Sequence, residues 1–143
     1  MGFSEDLIRE IVERTLREMS GAEMEKHIDP SGVMSIKTST VKCEPFAGAK
    51  GVGLKDATTL TEAPRMGAGV MELDHGELEW TLTYDEYDYV VEGTLQIEID
   101  GRTVTGNQGD IIYIPRNSHV IFKTPEFTRY AYFVYPANWS ELV

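Results

Sequence analysis

The hydrophobic positions near the start of the chain recur at helical spacing. Residues 4–20 read SEDLIREIVERTLREMS, and one face carries Leu7, Ile8, Ile11, Val12, Leu16 and Met19. A stripe with this spacing is typical of an amphipathic helix. Ser4 can cap the N-terminus, acidic side chains occupy the first turn, and Gly21 follows as a stop signal. The pattern therefore predicts one N-terminal helix.

The pattern changes after this segment. Residues from 22 to about 37 are polar and are interpreted as a linker, with Asp29-Pro30-Ser31-Gly32 as a turn. Beyond them, short stretches alternate between apolar and polar residues, as strands do when one face is buried. They are MGAGVMELD, ELEWTLTY, EYDYVVEG, TLQIEID, DIIYIP, HVIFKT and TRYAYFVYP. This pattern predicts an all-β sandwich or barrel in residues 33–143, after a helix and linker in residues 1–32.

The net charge and the cysteine content indicate which partners and which cellular location to expect. The net charge of the 143 residues is −11, from 24 acidic and 13 basic side chains. Nucleic acids and anionic membranes are therefore not expected partners. No apolar run approaches the roughly 18 residues of a membrane span, and no signal segment is recognised. Cys43 is the single cysteine, which excludes an internal disulfide and predicts a cytoplasmic location.

Two spaced motifs indicate a particular kind of barrel. Glu86, six residues and then Gly93 resemble the end of the first cupin motif. Gly109, five residues and then Pro115, in GDIIYIP, resemble the second. In this order they resemble a cupin, a small jelly-roll β-barrel. The predicted fold is therefore a cupin jelly roll preceded by one amphipathic helix.

The usual metal ligands of a cupin are missing from the sequence. A metal-binding cupin has a His-x-His pair three or four residues before the motif glutamate, and both imidazoles point to one ion. Those positions hold Trp80 and Leu82, or Glu79 and Thr81. The last ligand position falls on Val120, and His119 is one residue short, which turns it to the opposite face. We expect no tightly bound transition metal, and a metal-dependent dioxygenase or isomerase is disfavoured.

A closer resemblance covers about residues 66–141. The stretches WTLTYDEYDYVVEG, MGAGVMEL, GDIIYIPRNSHVIF and YPANWSE are similar to the EutQ family, the cupin proteins of bacterial ethanolamine utilisation. The resemblance implies a protein associated with the ethanolamine microcompartment. It also implies acetate kinase activity, which moves a phosphoryl group between ATP and acetate. Asn117 stands where the family commonly has glycine, and longer members carry a further N-terminal region.

Nothing in the sequence resembles a conventional nucleotide site. GAKGVGLKD contains Lys55 but no Gly-Lys-Ser/Thr, so it is interpreted as a loop. ATP with Mg²⁺ is implied by the family resemblance alone. Arg65, Arg116 and Arg129 are the available cations in this part of the chain, and each is interpreted as a surface or structural residue.

The acidic stretch around Glu86 allows two orientations. Tyr87, Tyr89 and Val91 share one side of the predicted strand, whereas Glu86 and Asp88 share the other. Hydrophobic burial alone would turn the tyrosines inward, but the cupin register turns the glutamate inward. We favour inward carboxylates, with the tyrosines packed on another sheet or on a second subunit. This predicts a homodimer.

These residues define a predicted site. Buried like charges raise each other's pKa and can recruit Mg²⁺. Under the kinase hypothesis, Glu86 and Asp88 position Mg-ATP or the acyl acceptor, and Tyr84 donates a hydrogen bond to a phosphoryl oxygen. The predicted substrate pocket comprises Trp80, Thr81, Leu82, Met71, Tyr113 and His119. Trp80, Leu82 and Met71 could equally fill the core, and His119 could be a surface histidine.

Two alternatives stay open at this point. One is a non-catalytic cupin that binds a small ligand or acts as an assembly factor of the microcompartment. The other concerns the N-terminal helix, which either packs on the barrel or a dimer partner, or docks into a groove of a shell protein.

Overall fold

The computed structural model describes Glu5, Ile8, Arg9 and residues 24–141. The predicted helix over residues 4–20 lies outside the described residues, apart from those three helical positions. The chain forms two compact units, residues 1–42 and residues 43–143. The predicted boundary between residues 32 and 33 lies within the first unit and stays a prediction.

The first unit contains a short hairpin. Strand β1 (Lys26–Ile28) pairs with the antiparallel strand β2 (Met34–Ile36), and a 3₁₀ turn follows at Thr38–Thr40. The predicted turn is confirmed, because the Gly32 N–H donates to the Asp29 carbonyl oxygen over 2.8 Å. The linker interpretation of residues 22–37 is wrong, since backbone groups here pair across the hairpin.

The second unit is one antiparallel sheet that curls into a barrel. Its strands, among the described residues, are β3 (Glu44–Pro45), β4 (Val52–Asp56), β5 (Gly67–Asp74), β6 (Glu77–Leu82), β7 (Asp85–Ile99), β8 (Arg102–Asn107), β9 (Ile111–Ile114), β10 (Ser118–Lys123) and β11 (Phe127–Tyr135). The order is β3-β4-β5-β11-β7-β10-β6, and β8 and β9 also pair with β7. A 3₁₀ turn at Trp139–Glu141 follows β11. The predicted all-β class is confirmed.

Strand β7 organises the barrel. Its first half pairs with β11 and β9, and its second half pairs with β10 and β8. The sequence pattern suggested two strands meeting at Gly93, but the structure has one strand that passes through this glycine with φ of 78°. A Cβ atom here would lie 2.0 Å from the Phe127 carbonyl oxygen. Glycine therefore lets β7 change partners beside β11.

The sequence pattern did not predict β1, β2, β3, β4 or β8, and β4 and β8 show why. Residues 52–56 of the expected loop form β4, because their backbone groups pair with β5 from Val52 to Asp56. Strand β8 exposes five of its six side chains, so it shows little apolar alternation. Both strands are specified mainly by backbone pairing, which leaves a weak hydrophobic signal.

The core lies inside the curl of the sheet. Strands β5, β6, β7, β10 and β11 turn alternate apolar side chains inward, as the two-residue period of a strand requires. The fully buried members include Leu73, Leu82, Val90, Leu95, Val120 and Tyr130. Each such side chain contributes about 1.5–3 kcal/mol on burial. Polar side chains at inward positions are therefore unusual, and the buried ones are Glu86, Asp88, Ser118 and Thr128.

Candidate functional site

Two acidic side chains point into the barrel from β7. Glu86 is 6% exposed and Asp88 is 0% exposed, whereas Tyr87 and Tyr89 between and beyond them are 53% and 43% exposed. The inward orientation favoured from the cupin register is therefore confirmed. The alternative orientation, with buried tyrosines, is wrong for the first half of β7.

A small cavity opens beside Glu86. It is lined by Phe46, Leu54, Met71, Leu78, Trp80, Tyr84, Glu86, Phe122, Tyr132 and Trp139. The cavity is narrow, with room for a group of about the size of a water molecule. Among these lining residues none is Lys, Arg or His, so Glu86 is the only ionisable group of low intrinsic pKa at its wall.

Aromatic rings form most of the cavity wall. The Trp139 ring centroid lies 5.9 Å from that of Phe46, 6.3 Å from Trp80, 5.8 Å from Tyr84 and 6.3 Å from Tyr132. Phe46 and Trp80 are 5.5 Å apart. The rings meet at tilted or edge-on angles, which are the favourable geometries for aromatic pairs. Trp139 thus sits at the centre of a cluster of five rings.

Asp56 joins two of these rings at the surface of the barrel. Its Oδ1 atom accepts a hydrogen bond from the Tyr132 hydroxyl over 2.5 Å and another from the Trp139 indole N–H over 3.2 Å. Asp56 is exposed, whereas Trp139 is buried. The carboxylate therefore ties the C-terminal turn to strand β11.

Burial alters the acid chemistry of the carboxyl pair. Loss of hydration raises the pKa of Glu86 to about 7. Burial, and then the charge of Glu86, raise the pKa of Asp88 well above its ordinary value. Neither carboxylate oxygen of Asp88 has a hydrogen-bond partner among the described residues. The pair therefore holds at least one proton at neutral pH, because two unpaired charges would be costly in this setting.

Tyr84 shares the environment of the carboxyl pair. Its hydroxyl accepts a hydrogen bond from the Trp80 indole N–H over 2.9 Å. Burial, followed by the charge of Glu86, raises the pKa of Tyr84 above its ordinary value. Tyr84 is therefore a neutral hydroxyl at the cavity wall and can donate its own proton in a hydrogen bond.

The structure brings only part of the predicted site together. Glu86, Tyr84, Trp80 and Met71 line the cavity. Asp88 lies in the barrel interior, outside the set of lining residues, and Leu82 is fully buried in the core. The predicted roles of these residues stay predictions.

Three predicted pocket residues are misplaced. Thr81, Tyr113 and His119 lie on the outer surface, because each stands between two inward-facing neighbours on its strand. Tyr113 donates a hydrogen bond to Asp85 over 3.2 Å. His119 contacts the Thr81 hydroxyl at 2.5 Å and the Glu79 carboxylate at 2.7 Å. None of the three can contact a ligand inside the barrel.

The residues at the cupin ligand positions do not fit a transition metal. Trp80, Leu82 and Val120 take the inward positions and offer no ligand atom, whereas Glu79 and Thr81 face outward. No group of three or more His, Cys, Asp or Glu side chains in the described part of the chain could hold a metal ion. The conventional metal cupin is thus disfavoured by the donor set itself.

Sequence reasoning missed Asp56 and six of the lining residues, which are Phe46, Leu54, Leu78, Phe122, Tyr132 and Trp139. Phe46 lies in a loop, Tyr132 in a strand without a motif, and Trp139 in a short C-terminal turn. Asp56 ends β4, which was interpreted as a loop. The C-terminal Trp139 within YPANWSE was part of the family resemblance, but no spacing rule connects it to the barrel mouth.

These features define a class of protein, a cupin barrel that lacks the imidazole clamp and has acidic and aromatic side chains around its cavity. The model of the family described as ethanolamine utilisation protein EutQ matches residues 3–141. The chain belongs to this EutQ family, which acts in ethanolamine utilisation.

Individual relatives agree with this assignment. An acetate kinase EutQ from Clostridioides difficile (strain 630) is 40% identical over 143 aligned positions, covering 95% of this chain and 91% of the relative. An acetate kinase EutQ from Salmonella typhimurium is 37% identical over 150 positions, covering 98% of this chain. The chain spans only 65% of the length of that second relative.

Solved structures support the fold in the same way. The Clostridium difficile EutQ protein matches with a TM-score of 0.80 and 42% identity, over 85% of this chain and 93% of that one. The cupin domain of Schizosaccharomyces pombe Cnp3 matches with a TM-score of 0.62 at 12% identity, over 83% and 91% of the two chains, which shows the fold alone. In the part of this chain that the structure describes, no helix is long and apolar enough to cross a membrane.

Proposed function

We propose that this chain transfers a phosphoryl group between ATP and acetate during ethanolamine utilisation. The relatives named above carry the name acetate kinase. The structural observation that carries the proposal is the buried carboxyl of Glu86 at the wall of a cavity, where burial raises its pKa to about 7. A neutral carboxyl can donate a hydrogen bond to an acetate oxygen, which an ionised one cannot.

The proposed chemistry needs positioning more than a reactive side chain. One acetate oxygen attacks the γ-phosphorus of ATP, and the bond from that phosphorus to the bridging oxygen breaks as ADP leaves. Glu86 and the Tyr84 hydroxyl orient the second acetate oxygen. No proton is gained or lost in this exchange, so a general base is not required.

The nucleotide has to approach from outside the cavity. A triphosphate needs cations or backbone donors, and none of the lining residues is cationic. The cavity is also too narrow for a nucleotide. Mg²⁺ would arrive bound to the ATP phosphates, since it retains waters and takes few protein ligands.

A coupled assay of acetyl phosphate formation from acetate and Mg-ATP tests the proposal. Wild type should turn over, and Glu86→Leu, which removes the carboxyl, should lower kcat by about 100-fold or more. Glu86→Gln keeps an N–H donor and should lose less, and Asp88→Asn tests the second acid of the pair. Glu77→Gln, an exposed glutamate on β6, is the matched control and should leave turnover unchanged. Absence of turnover in pure wild type, or equal turnover in all variants, would remove the kinase proposal.

The narrow cavity without cations favours a second candidate, a cupin that binds a small ligand and catalyses nothing. This candidate expects ligand binding to the wild-type protein with no acetyl phosphate above the enzyme-free rate. A role in assembly of the microcompartment belongs to the same candidate. The assay above separates the two, because only the kinase forms product.

The partners that the family resemblance implies are also part of the proposal. We infer a cytoplasmic protein associated with the ethanolamine microcompartment, with shell proteins or other ethanolamine-utilisation proteins as its partners. We also infer a homodimer that forms through the outer aromatic face. This face comprises the exposed residues Tyr87, Tyr89, Val91, Ile111, Tyr113, Phe133 and Tyr135.

The strand register supports the dimer. Tyr87 stands opposite both Phe133 on β11 and Tyr113 on β9, and Tyr89 stands opposite Ile111. The apolar side chains therefore form one continuous surface across three adjacent strands. Contiguous exposed apolar surface of this kind is typical of protein interfaces.

A further inference from the structure

The cavity combines ring surface with acid and lacks any positive side chain. Five of the ten lining residues are Phe46, Trp80, Tyr84, Tyr132 and Trp139, and the only carboxyl among them is Glu86. A buried carboxyl is ordinarily paired with a cation or with hydrogen-bond donors. None of the lining side chains is cationic, so a ligand can supply the positive charge.

The polar atoms of the rings are largely committed to other protein groups. The Trp80 indole N–H donates to the Tyr84 hydroxyl, and the Trp139 indole N–H and the Tyr132 hydroxyl both donate to Asp56. These three hydrogens are not available to a ligand. What remains at the cavity is aromatic surface, the Glu86 carboxyl and the Tyr84 hydroxyl hydrogen.

A second, independent observation concerns Asp88. It is 0% exposed, and neither of its oxygens has a hydrogen-bond partner among the described residues. It stands two residues from Glu86 on the same inward side of β7. The pair retains a proton at neutral pH because burial raises both pKa values, and a positive group beside Glu86 would stabilise its ionised form instead.

The aromatic rings and the carboxyl groups of this cavity favour a ligand with a positive charge. Aromatic faces carry negative charge and attract ammonium groups, an effect that strengthens when water is excluded. The two carboxyl groups favour a cation and disfavour an anion.

We propose that this cavity binds the head group of a small primary ammonium ion, held between the aromatic rings and the Glu86 carboxylate. The proposal goes beyond the kinase proposal and does not rest on it. It assigns to the cavity a ligand of opposite charge to acetate. An ammonium ion would then compete with acetate for the space beside Glu86.

Isothermal titration calorimetry of the full chain tests the proposal with three probes: ethanolammonium, ethylene glycol and acetate. Ethylene glycol matches ethanolammonium in size but is neutral, so it isolates the contribution of charge. Ethanolammonium should bind, ethylene glycol should bind at least about tenfold more weakly, and acetate without Mg-ATP should be weaker still.

Variants locate the binding. Glu86→Gln keeps the shape and removes the charge, so affinity for ethanolammonium should fall by roughly tenfold or more. Trp80→Leu keeps an apolar side chain and removes a ring, so affinity should fall by about 3- to 30-fold. Glu77→Gln should bind as wild type does. Thermal unfolding of each variant checks that it is folded.

The outcomes separate this proposal from the kinase proposal. Equal binding of ethanolammonium and ethylene glycol, or no loss of affinity in folded Glu86→Gln, would overturn the ammonium site. Binding of acetate but not ethanolammonium would also overturn it, and would support the kinase proposal. Ethanolammonium binding with no acetyl phosphate formed would support the ammonium site and remove the kinase.

Discussion

Glu86 and Asp88 lie two residues apart on the inward side of β7, and both oxygens of Asp88 lack a hydrogen-bond partner among the described residues. In a metal cupin, the motif glutamate at the position of Glu86 binds the ion together with histidine side chains. In this chain the glutamate has a second acid, Asp88, beside it instead. The inward neighbours Trp80, Leu82 and Val120 supply no ligand and no positive charge. Two buried negative charges would be destabilising, so the pair either retains a proton or binds a cation.

The first prediction concerns the pH dependence of stability. Glu86 has a pKa of about 7 in the folded protein, above the 4.5 of an unburied glutamate. Between these values the folded state holds a proton that the unfolded state has lost. The contribution of Glu86 to the free energy of unfolding should therefore decrease as pH rises from about 4.5 to about 7, and the raised pKa of Asp88 adds a decrease in the same direction.

Chemical denaturation across this pH range checks the prediction. Wild type should lose about 3 kcal/mol more than Glu86→Gln over the interval, since one pKa unit corresponds to about 1.4 kcal/mol. Glu77→Gln should follow wild type, because its side chain is exposed. Parallel curves for wild type and Glu86→Gln would contradict the burial of the ionisable pair.

The second prediction concerns Trp139 and the acid that holds it. The chain has two tryptophans, so Trp80→Phe leaves Trp139 as the only tryptophan, whose emission is excited selectively at wavelengths that tyrosine does not absorb. Acrylamide should quench this emission weakly, because Trp139 is buried. Adding Asp56→Ala removes the acceptor of the indole hydrogen bond, which contributes about 1–2 kcal/mol, and quenching should increase.

Tyr132→Phe is the matched comparison for Asp56→Ala. It removes the other hydrogen bond to Asp56 and keeps both the ring and the bond from Trp139. Quenching should therefore stay near the level of the Trp80→Phe protein. If Asp56→Ala leaves quenching unchanged, the carboxylate does not hold the C-terminal turn.

The third prediction concerns His119. Its imidazole lies on the outer surface beside Thr81 and Glu79, so His119→Ala should leave acetyl phosphate formation unchanged. The exposed contact between His119 and Glu79 contributes at most about 1 kcal/mol to stability. Val120→Ala, one residue away but inward, should cost about 2 kcal/mol. A large loss of turnover in His119→Ala would restore it to the site.

The contrast between His119 and Val120 illustrates what the sequence could predict. The two-residue period of a strand separated the two faces around Glu86, and the resemblance to the cupin register, rather than hydrophobic burial, identified the inward one. The same period disfavoured His119 as a metal ligand. The same rule, applied strictly, would also have removed Thr81 and Tyr113 from the predicted pocket. Their hydroxyl groups suit a polar pocket, but their strand positions place both side chains on the outer surface of the barrel.

Other features of the site depend on contacts between distant parts of the chain. Trp139 meets Phe46, Trp80 and Tyr132 only because the chain returns to the barrel after β11. Asp56 contacts Trp139 across 83 residues of sequence. No local pattern encodes such pairings. The hairpin β1–β2 was missed for another reason, since its short polar strands resemble a linker.

The fourth prediction concerns the outer aromatic face. Phe133→Asp introduces a charge at its centre, opposite Tyr87, and should convert a dimer to a monomer because burying an unpaired charge is costly. Light scattering coupled to size exclusion measures the change. Val104→Asp, at an exposed apolar residue of β8 outside this face, should stay dimeric. A monomeric wild type at high concentration would contradict the interface.

The most direct test of the buried acid pair is the pH titration of the Glu86 and Asp88 side-chain carboxyl carbons by ¹³C NMR. Glu86 is expected to titrate near pH 7 and Asp88 above its usual range, and both signals should shift when a cavity ligand is added. Titration of both carbons at the ordinary values of exposed acids, about pH 4, would contradict the account.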